Sequence, residues 1–282
     1  MATRLPVLGG HVEGFGATHR KDPWWQSPLV VFLGLSAFVA YANWALFQAN
    51  HYYAEPYLSP FYSPVLFSAT NMPGAAPLSE SWFGEWPSWW PRFLPPSPAM
   101  LILIFPLSFR FTCYYYRKAY YRAFAGSPPG CAVGPLGQGR RRYEGETSLM
   151  IFQNLHRYAL YGAIVFIFLL GHDAYKAFFK NGEFGFGVGT LVITLNVVFI
   201  ASYTFGCHSF RHLIGGHDNC MSCGQNTVKY GAWKRATWFN ERHQLFAWMS
   251  LIWVGFTDAY VRLVSMGVIE DINTWSSGMG NS

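Results

Sequence analysis

The sequence predicts an all-α integral membrane protein with five transmembrane helices in one bundle. Spans two–three and four–five are expected to be related by a pseudo-twofold repeat. Three observations predict this. Half of the 282 residues are hydrophobic (51%) and only 12% are charged, about half the charged fraction of a soluble domain. The apolar residues fall into blocks of about 20, the length that crosses about 30 Å of hydrocarbon. Finally, the ends of these blocks match one another in pairs.

The blocks are 29–48, 100–119, 148–171, 187–207 and 244–263. None lies close enough to the start to be a cleaved signal, so residues 1–282 are expected to form a single membrane domain. No Gly/Pro pair in the blocks marks a broken helix. Lys and Arg set the orientation. Thirteen lie in the N-terminal arm and in the second–third and fourth–fifth connections, among them Arg117, Lys118, Arg122, Arg140, Arg141 and Arg142; four lie on the opposite face. The N-terminus is therefore expected in the cytoplasm and the C-terminus outside the cell membrane. The sequence pI near 9.1 reflects this bias and not nucleic-acid binding. The outer segment 51–98 contains WFGEWPSWWPRFLPPSP (82–98), four tryptophans among prolines. That run is too broken for a span and suits a lid in the headgroup layer.

SFRFTCYYYRKAYYRAF (108–124) ends the second block and SYTFGCHSFRHLIGG (202–216) the fourth. Aligning Cys113 with Cys207 pairs Phe111 with Phe205, Tyr116 with Phe210 and Arg117 with Arg211. The third and fifth blocks open with FQNLHRYALY (152–161) and FNERHQLFAW (239–248), pairing His156 with His243. Two thiols and two imidazoles, one from each of four helices, are thus expected near the cytoplasmic side. Each alone reads as a small buried hydrophobe or an interhelical hydrogen bond. Four at matched positions read as a metal or redox centre.

Three centres suit these residues. A haem b takes His156 and His243 as axial ligands and leaves the cysteines unused. A zinc site uses Cys207, His212, Cys220 and Cys223 from FGCHSFRHLIGGHDNCMSCG (205–224), although a single CxxC is unspecific. A [2Fe–2S] cluster takes Cys113 and Cys207 on one iron and His156 and His243 on the other, which is the Rieske ligand set. A transporter with a midplane site is a further reading of the repeat. A quinone needs an aromatic slot and donors to its carbonyl oxygens. Trp238, Arg242, Arg157 and Tyr158 supply these near the cysteines; His51, Tyr52, His172 and Asp173 supply them at the outer end.

The segments HRYALYGAIVFIFLLGHDAY and FNERHQLFAW resemble the actinobacterial (mycobacterial-type) succinate dehydrogenase cytochrome b-like subunit, the membrane anchor of complex II. The topology resembles that family throughout, and the specific motifs do so from about Phe105 to Tyr260. In the dihaem branch, histidines on four spans hold two haems; here the second and fourth spans offer Cys113 and Cys207. The resemblance therefore implies a membrane-embedded Rieske-type [2Fe–2S] cluster. It also implies electrons received from an iron–sulfur subunit, itself fed by a flavoprotein subunit that oxidises succinate. That partner is expected to dock on the basic cytoplasmic face, and quinone, expected to be menaquinone, is the acceptor. The chain then carries no succinate chemistry of its own.

Overall fold

The computed structural model describes residues 14–136, 149–216, 219–220, 223 and 227–275. It is mostly helical, in two compact units: residues 1–37 with 111–153, and residues 38–110 with 154–282. Arg140, Arg141 and Arg142 lie outside the described residues.

The first long helix is α1 (Gln26–Gln48). The hairpin of β1 (Tyr53–Ala54) and β2 (Tyr57–Leu58) follows it. Then come α2 (Pro98–Ile102), α3 (Ile104–Thr112) and α4 (Tyr114–Ala119), the last running into a π-helical turn to Phe124. The remaining elements are α5 (Leu149–Lys176), the hairpin β3 (Phe179–Lys180) and β4 (Glu183–Phe184), α6 (Val188–Phe205), α7 (His208–Gly215), α8 (Thr227–Glu241) and α9 (His243–Ser265).

Among the described residues, three helices are long and apolar enough to cross a membrane: Gln26–Gln48, Ile151–Lys176 and Val188–Phe205. They coincide with the first, third and fourth expected spans. The fifth block is a continuous helix, but Asp258 and Arg262 make it less apolar. The second block departs from the expectation of unbroken spans. It is divided at Leu103 and again at Cys113. Pro106 accounts for the first division: it has no N–H to offer the carbonyl of Ile102, where α2 ends, and its ring crowds that carbonyl. The fourth block is interrupted similarly, between Phe205 and His208.

In the second unit the part of the outer segment that precedes the tryptophan run is packed inward. Tyr52, Phe61, Tyr62 and Val65 are buried with Ala45 of α1 and Val254 of α9. The Tyr52 and Tyr62 rings stack 4.2 Å apart, and the Tyr62 hydroxyl donates to the Ala45 carbonyl at 2.5 Å. The tryptophans form a layer of their own, with Trp86 edge-on to Trp90 at 5.2 Å and Trp89 74% exposed. A second cluster gathers Tyr57, Ala177, Ile193, Val261 and Trp275. It is pinned by the Asp271 carboxylate, which accepts from the Tyr57 and Tyr260 hydroxyls and from the Gly189 amide in the first turn of α6.

The first unit is held by contacts between its two chain segments. Arg20 pairs with Asp22 and donates to the Cys131 carbonyl at 2.9 Å, and Phe32 packs on Phe124 at 4.9 Å.

Candidate functional site

The two cysteines matched in sequence each occupy a helix interruption. Cys113 has φ −63° and ψ 129°, and Cys207 has φ −66° and ψ 142°. Each leaves the helical region for one residue and becomes the N-cap of a short helix, α4 or α7. Each carbonyl accepts the amide of the arginine four residues on: Arg117 at 3.0 Å, Arg211 at 3.1 Å. Those arginines lie over aromatic rings, Arg117 over Phe152 at 5.4 Å and Arg211 over Trp233 at 4.7 Å. Both thiols are buried, at 3% and 2% exposure.

In the second unit, Cys207 Sγ accepts the Ser209 amide at 3.3 Å, and His156 Nε2 lies 2.9 Å from the same sulfur. His156 is buried and stacked on Phe109, with centroids 4.6 Å apart and planes at 9°. His243, the first residue of α9, stacks on Tyr203 in the same manner, at 4.8 Å and 14°. Phe109 and Tyr203 meet edge to face at 5.6 Å. Above Tyr203 lies the Arg110 guanidinium, 4.7 Å from the ring centroid, donating to Ser250 Oγ at 2.9 Å.

Phe109 stands four residues before Cys113, and Tyr203 four before Cys207. These two aromatic platforms were not singled out by the sequence reading, although the Cys113–Cys207 alignment pairs them.

Thiol and imidazole donors are the right types for a zinc ion or an iron–sulfur cluster. His156 Nε2 and Cys207 Sγ touch directly. Sharing one tetrahedral ion at usual bond lengths would set them about 3.5 Å apart, an opening of well under 1 Å; on the two different irons of a [2Fe–2S] cluster they would have to stand farther apart than that. Among the described residues no group of three or more His, Cys, Asp or Glu side chains is assembled as a metal site. Cys220 and Cys223 are joined in a disulfide, which withdraws them from ligation in this state. His212 is exposed on α7, and Cys131 is an exposed free thiol.

The two expected quinone sets are only partly assembled. Arg242 lies 4.2 Å over the Trp238 ring and donates to its carbonyl, while Arg157 and Tyr158 are exposed on α5. At the other end His51 Nδ1 is 3.4 Å from Ser265 Oγ, and Tyr52 is buried against Tyr62. His172 is largely exposed with Nδ1 3.8 Å from Asp173, and Asp173 accepts from Ser63. Asp173 also borders a small cavity of about 70 Å³ with Glu80 and Lys176.

The chain matches, over residues 26–267, the family model described as actinobacterial succinate dehydrogenase subunit SdhC. It is similar to a chain of the solved Mycobacterium smegmatis Sdh1 complex in the apo form, with 40% identity and a TM-score of 0.79, covering 92% of this chain and 94% of that one. No curated protein matches.

Proposed function

Because the chain belongs to the actinobacterial succinate dehydrogenase SdhC family, we propose that it carries electrons from the enzyme's soluble iron–sulfur subunit through a Rieske-type [2Fe–2S] cluster to quinone. It is a membrane subunit of a succinate dehydrogenase complex, and its partners are that enzyme's other subunits.

The observation that carries the cluster reading is the Cys207–His156 contact at the start of α7. Two soft donors converge there, away from solvent. Cys207 and Cys113 would supply thiolates to one iron, and His156 and His243 neutral imidazole nitrogens to the other. Cys113 enters on its sequence pairing with Cys207 and its matching backbone conformation. When bound, the cluster supplies one-electron transfer; imidazole in place of thiolate makes it less negative and raises its potential. The chain's own contribution is to bury the donors, cap Cys207 with a helix N-terminus and fix both imidazole planes against aromatic rings.

The haem b reading through His156 and His243 is less well supported, since His156 Nε2 is directed at a sulfur. The positive-inside bias supports a cluster end on the cytoplasmic side, the proposed docking face for the iron–sulfur subunit. Menaquinone is the proposed acceptor.

The test is a spectrum of the purified complex with its chemical analysis. The cluster reading requires iron and acid-labile sulfide beyond the soluble subunit's content and a low-average-g [2Fe–2S] signal. Both should be lost when His156 and His243 are changed to alanine. A bis-histidine haem spectrum lost with those histidines would replace it.

A further inference from the structure

The first unit contains a cavity of about 240 Å³ between α4, with its π-helical turn, and the loop at 127–131. The helical wall contributes Tyr114, Lys118, Tyr121 and Arg122, whose spacing puts them on one face. The loop contributes Ser127 and Cys131 among others. Among the described residues the lining thus holds two cations and no carboxylate.

Both walls are held in place by the chain itself. The Ser127 amide donates to the Tyr121 carbonyl at 3.0 Å, which ties the loop to the helix. Arg20 donates to the Cys131 carbonyl at 2.9 Å and Thr18 to the Ala132 carbonyl at 2.7 Å, which ties the loop to the N-terminal arm. The charge of Arg20 is already paired with Asp22. Lys118 and Arg122 are exposed and make no ion pair among the described residues.

We propose that this cavity binds the headgroup phosphate of an anionic phospholipid from the cytoplasmic leaflet, with Lys118 and Arg122 as counter-ions and the acyl chains along Phe111 and Tyr114. The proposal takes the positive-inside orientation as its premise and is independent of the cluster and of quinone.

Depth selects a lipid over other anions. On the expected second span, residues 100–119, Tyr114 lies about 8 Å inside the inner end, Lys118 lies at that end and Arg122 just beyond it. Two cations therefore stand at the level of lipid phosphates, where basic pockets at the ends of membrane helices recognise anionic headgroups. Tyr114 and Phe111 are exposed one and two turns before Lys118, and Phe111 packs on Tyr120 at 5.9 Å, alongside the same helix. A soluble anion would use the cations and leave these rings uncovered. A soluble subunit covers a cytoplasmic surface without reaching hydrocarbon depth. A phospholipid meets both needs. Ammonium and guanidinium offset its charge, the guanidinium offering paired N–H donors to two phosphate oxygens, and its chains cover the rings.

Cys131 reports on the cavity, because it lines it and is an exposed free thiol. The test is the rate at which N-ethylmaleimide alkylates Cys131 in the whole complex, read on its own peptide by mass spectrometry. Nanodiscs of phosphatidylcholine are compared with nanodiscs that also contain phosphatidylglycerol. Phosphatidylglycerol is expected to slow alkylation about tenfold. The phosphatidylglycerol fraction that gives half-protection should rise about fivefold in Lys118→Gln or Arg122→Gln and about thirtyfold in the double variant, while Lys118→Arg keeps most of the protection. Equal rates in the two lipids overturn the proposal. So does protection undiminished in the double variant, which reports only general surface charge. Protection by inorganic phosphate in phosphatidylcholine alone makes the cavity a soluble-anion site instead. Protection in both lipids that disappears when the soluble subunits are stripped assigns the surface to the iron–sulfur subunit. The comparison of lipids on the unaltered complex needs no variant, so an unstable variant does not affect it.

Discussion

His156 Nε2 and Cys207 Sγ lie 2.9 Å apart, joining the second turn of α5 to the interruption between α6 and α7. The same sulfur accepts the Ser209 amide, so one atom caps the helix and is also the proposed ligand. The two roles can be separated. Cys207→Ser keeps an N-cap oxygen, and serine is among the best N-caps; it removes only the soft donor. Quinone reduction and the cluster signal should fall at least about a hundredfold, beyond the effect expected of an outer-shell change, with thermal stability little altered. Cys207→Ala should lose both roles, adding about 1 kcal/mol of destabilisation. Parallel EPR spectra and melting curves check this. A signal retained in the serine variant removes Cys207 from the ligand set.

The long apolar helices were legible because nothing interrupts their pattern: α1 and α6 lie where composition places them. The division at Leu103 had a signal in Pro106, which the reading of the second block as one unbroken span passed over. The one at Cys113 was not, because Thr112, Cys113 and Tyr114 carry no breaking residue and only the folded surroundings select the extended cysteine. For the site, matched cysteines and histidines could be found by alignment. The aromatic platforms at Phe109 and Tyr203 needed the stacking geometry to give them meaning. The cavity beside α4 was only partly legible: Lys118 and Arg122 stand out, but the facing loop at 127–131 is placed by the N-terminal arm.

Asp258 and Arg262, one turn apart on α9, are buried at 0% and 5% exposure with Nε and Oδ2 3.6 Å apart. The Tyr41 hydroxyl donates to Asp258 at 2.6 Å and Ser59 also donates to it, while Arg262 donates to the Asn50 carbonyl at 2.8 Å. Removing one charge leaves the other buried without its counter-ion, which costs about 3–5 kcal/mol. Asp258→Asn should therefore destabilise the complex far more than Tyr41→Phe, whose lost hydrogen bond costs about 1 kcal/mol. The double variant Asp258→Asn/Arg262→Gln should recover part of the loss. Thermal unfolding in nanodiscs measures the cycle, and strict additivity of the two single losses would contradict the pairing.

Alkaline stability follows from the contact that fastens the segment after α9. Burial, and then the hydrogen bond to Asp271, push the Tyr57 hydroxyl above the ordinary tyrosine range. A raised folded-state pKa means the folded protein holds that proton more tightly than the unfolded chain. The stabilisation is complete below the unfolded value of about 10 and is lost as pH rises through the higher folded value. Melting temperature should thus be flat on this account up to about pH 10 and fall beyond it, with Tyr57→Phe removing that part of the fall. Asp271→Asn, which weakens the hold on the first turn of α6, should cost about 1–2 kcal/mol near neutrality.

The residue before Cys207 offers a test of how closely the interruption must be held. Gly206 ends α6, and its carbonyl accepts from Asn240 Nδ2 at 2.8 Å. A Cβ built on Gly206 would stand 2.9 Å from the Phe239 carbonyl oxygen. That neighbour is α8 backbone, not a side chain able to turn aside. The glycine is thus needed for close approach; its φ of −78° is accessible to any residue. Alanine must push α6 from α8, at a cost of about 1–3 kcal/mol for overpacking, and the displaced residue adjoins the sulfur facing His156. Gly206→Ala should therefore lower cluster content more than its stability loss alone implies. Asn240→Ala, which removes the hydrogen bond without adding volume, should reduce stability and leave cluster content nearly unchanged. Iron and labile sulfide per assembled complex, read beside the melting temperature, distinguish the two. Equal cluster retention in both would show that the separation of α6 from α8 does not govern the position of Cys207.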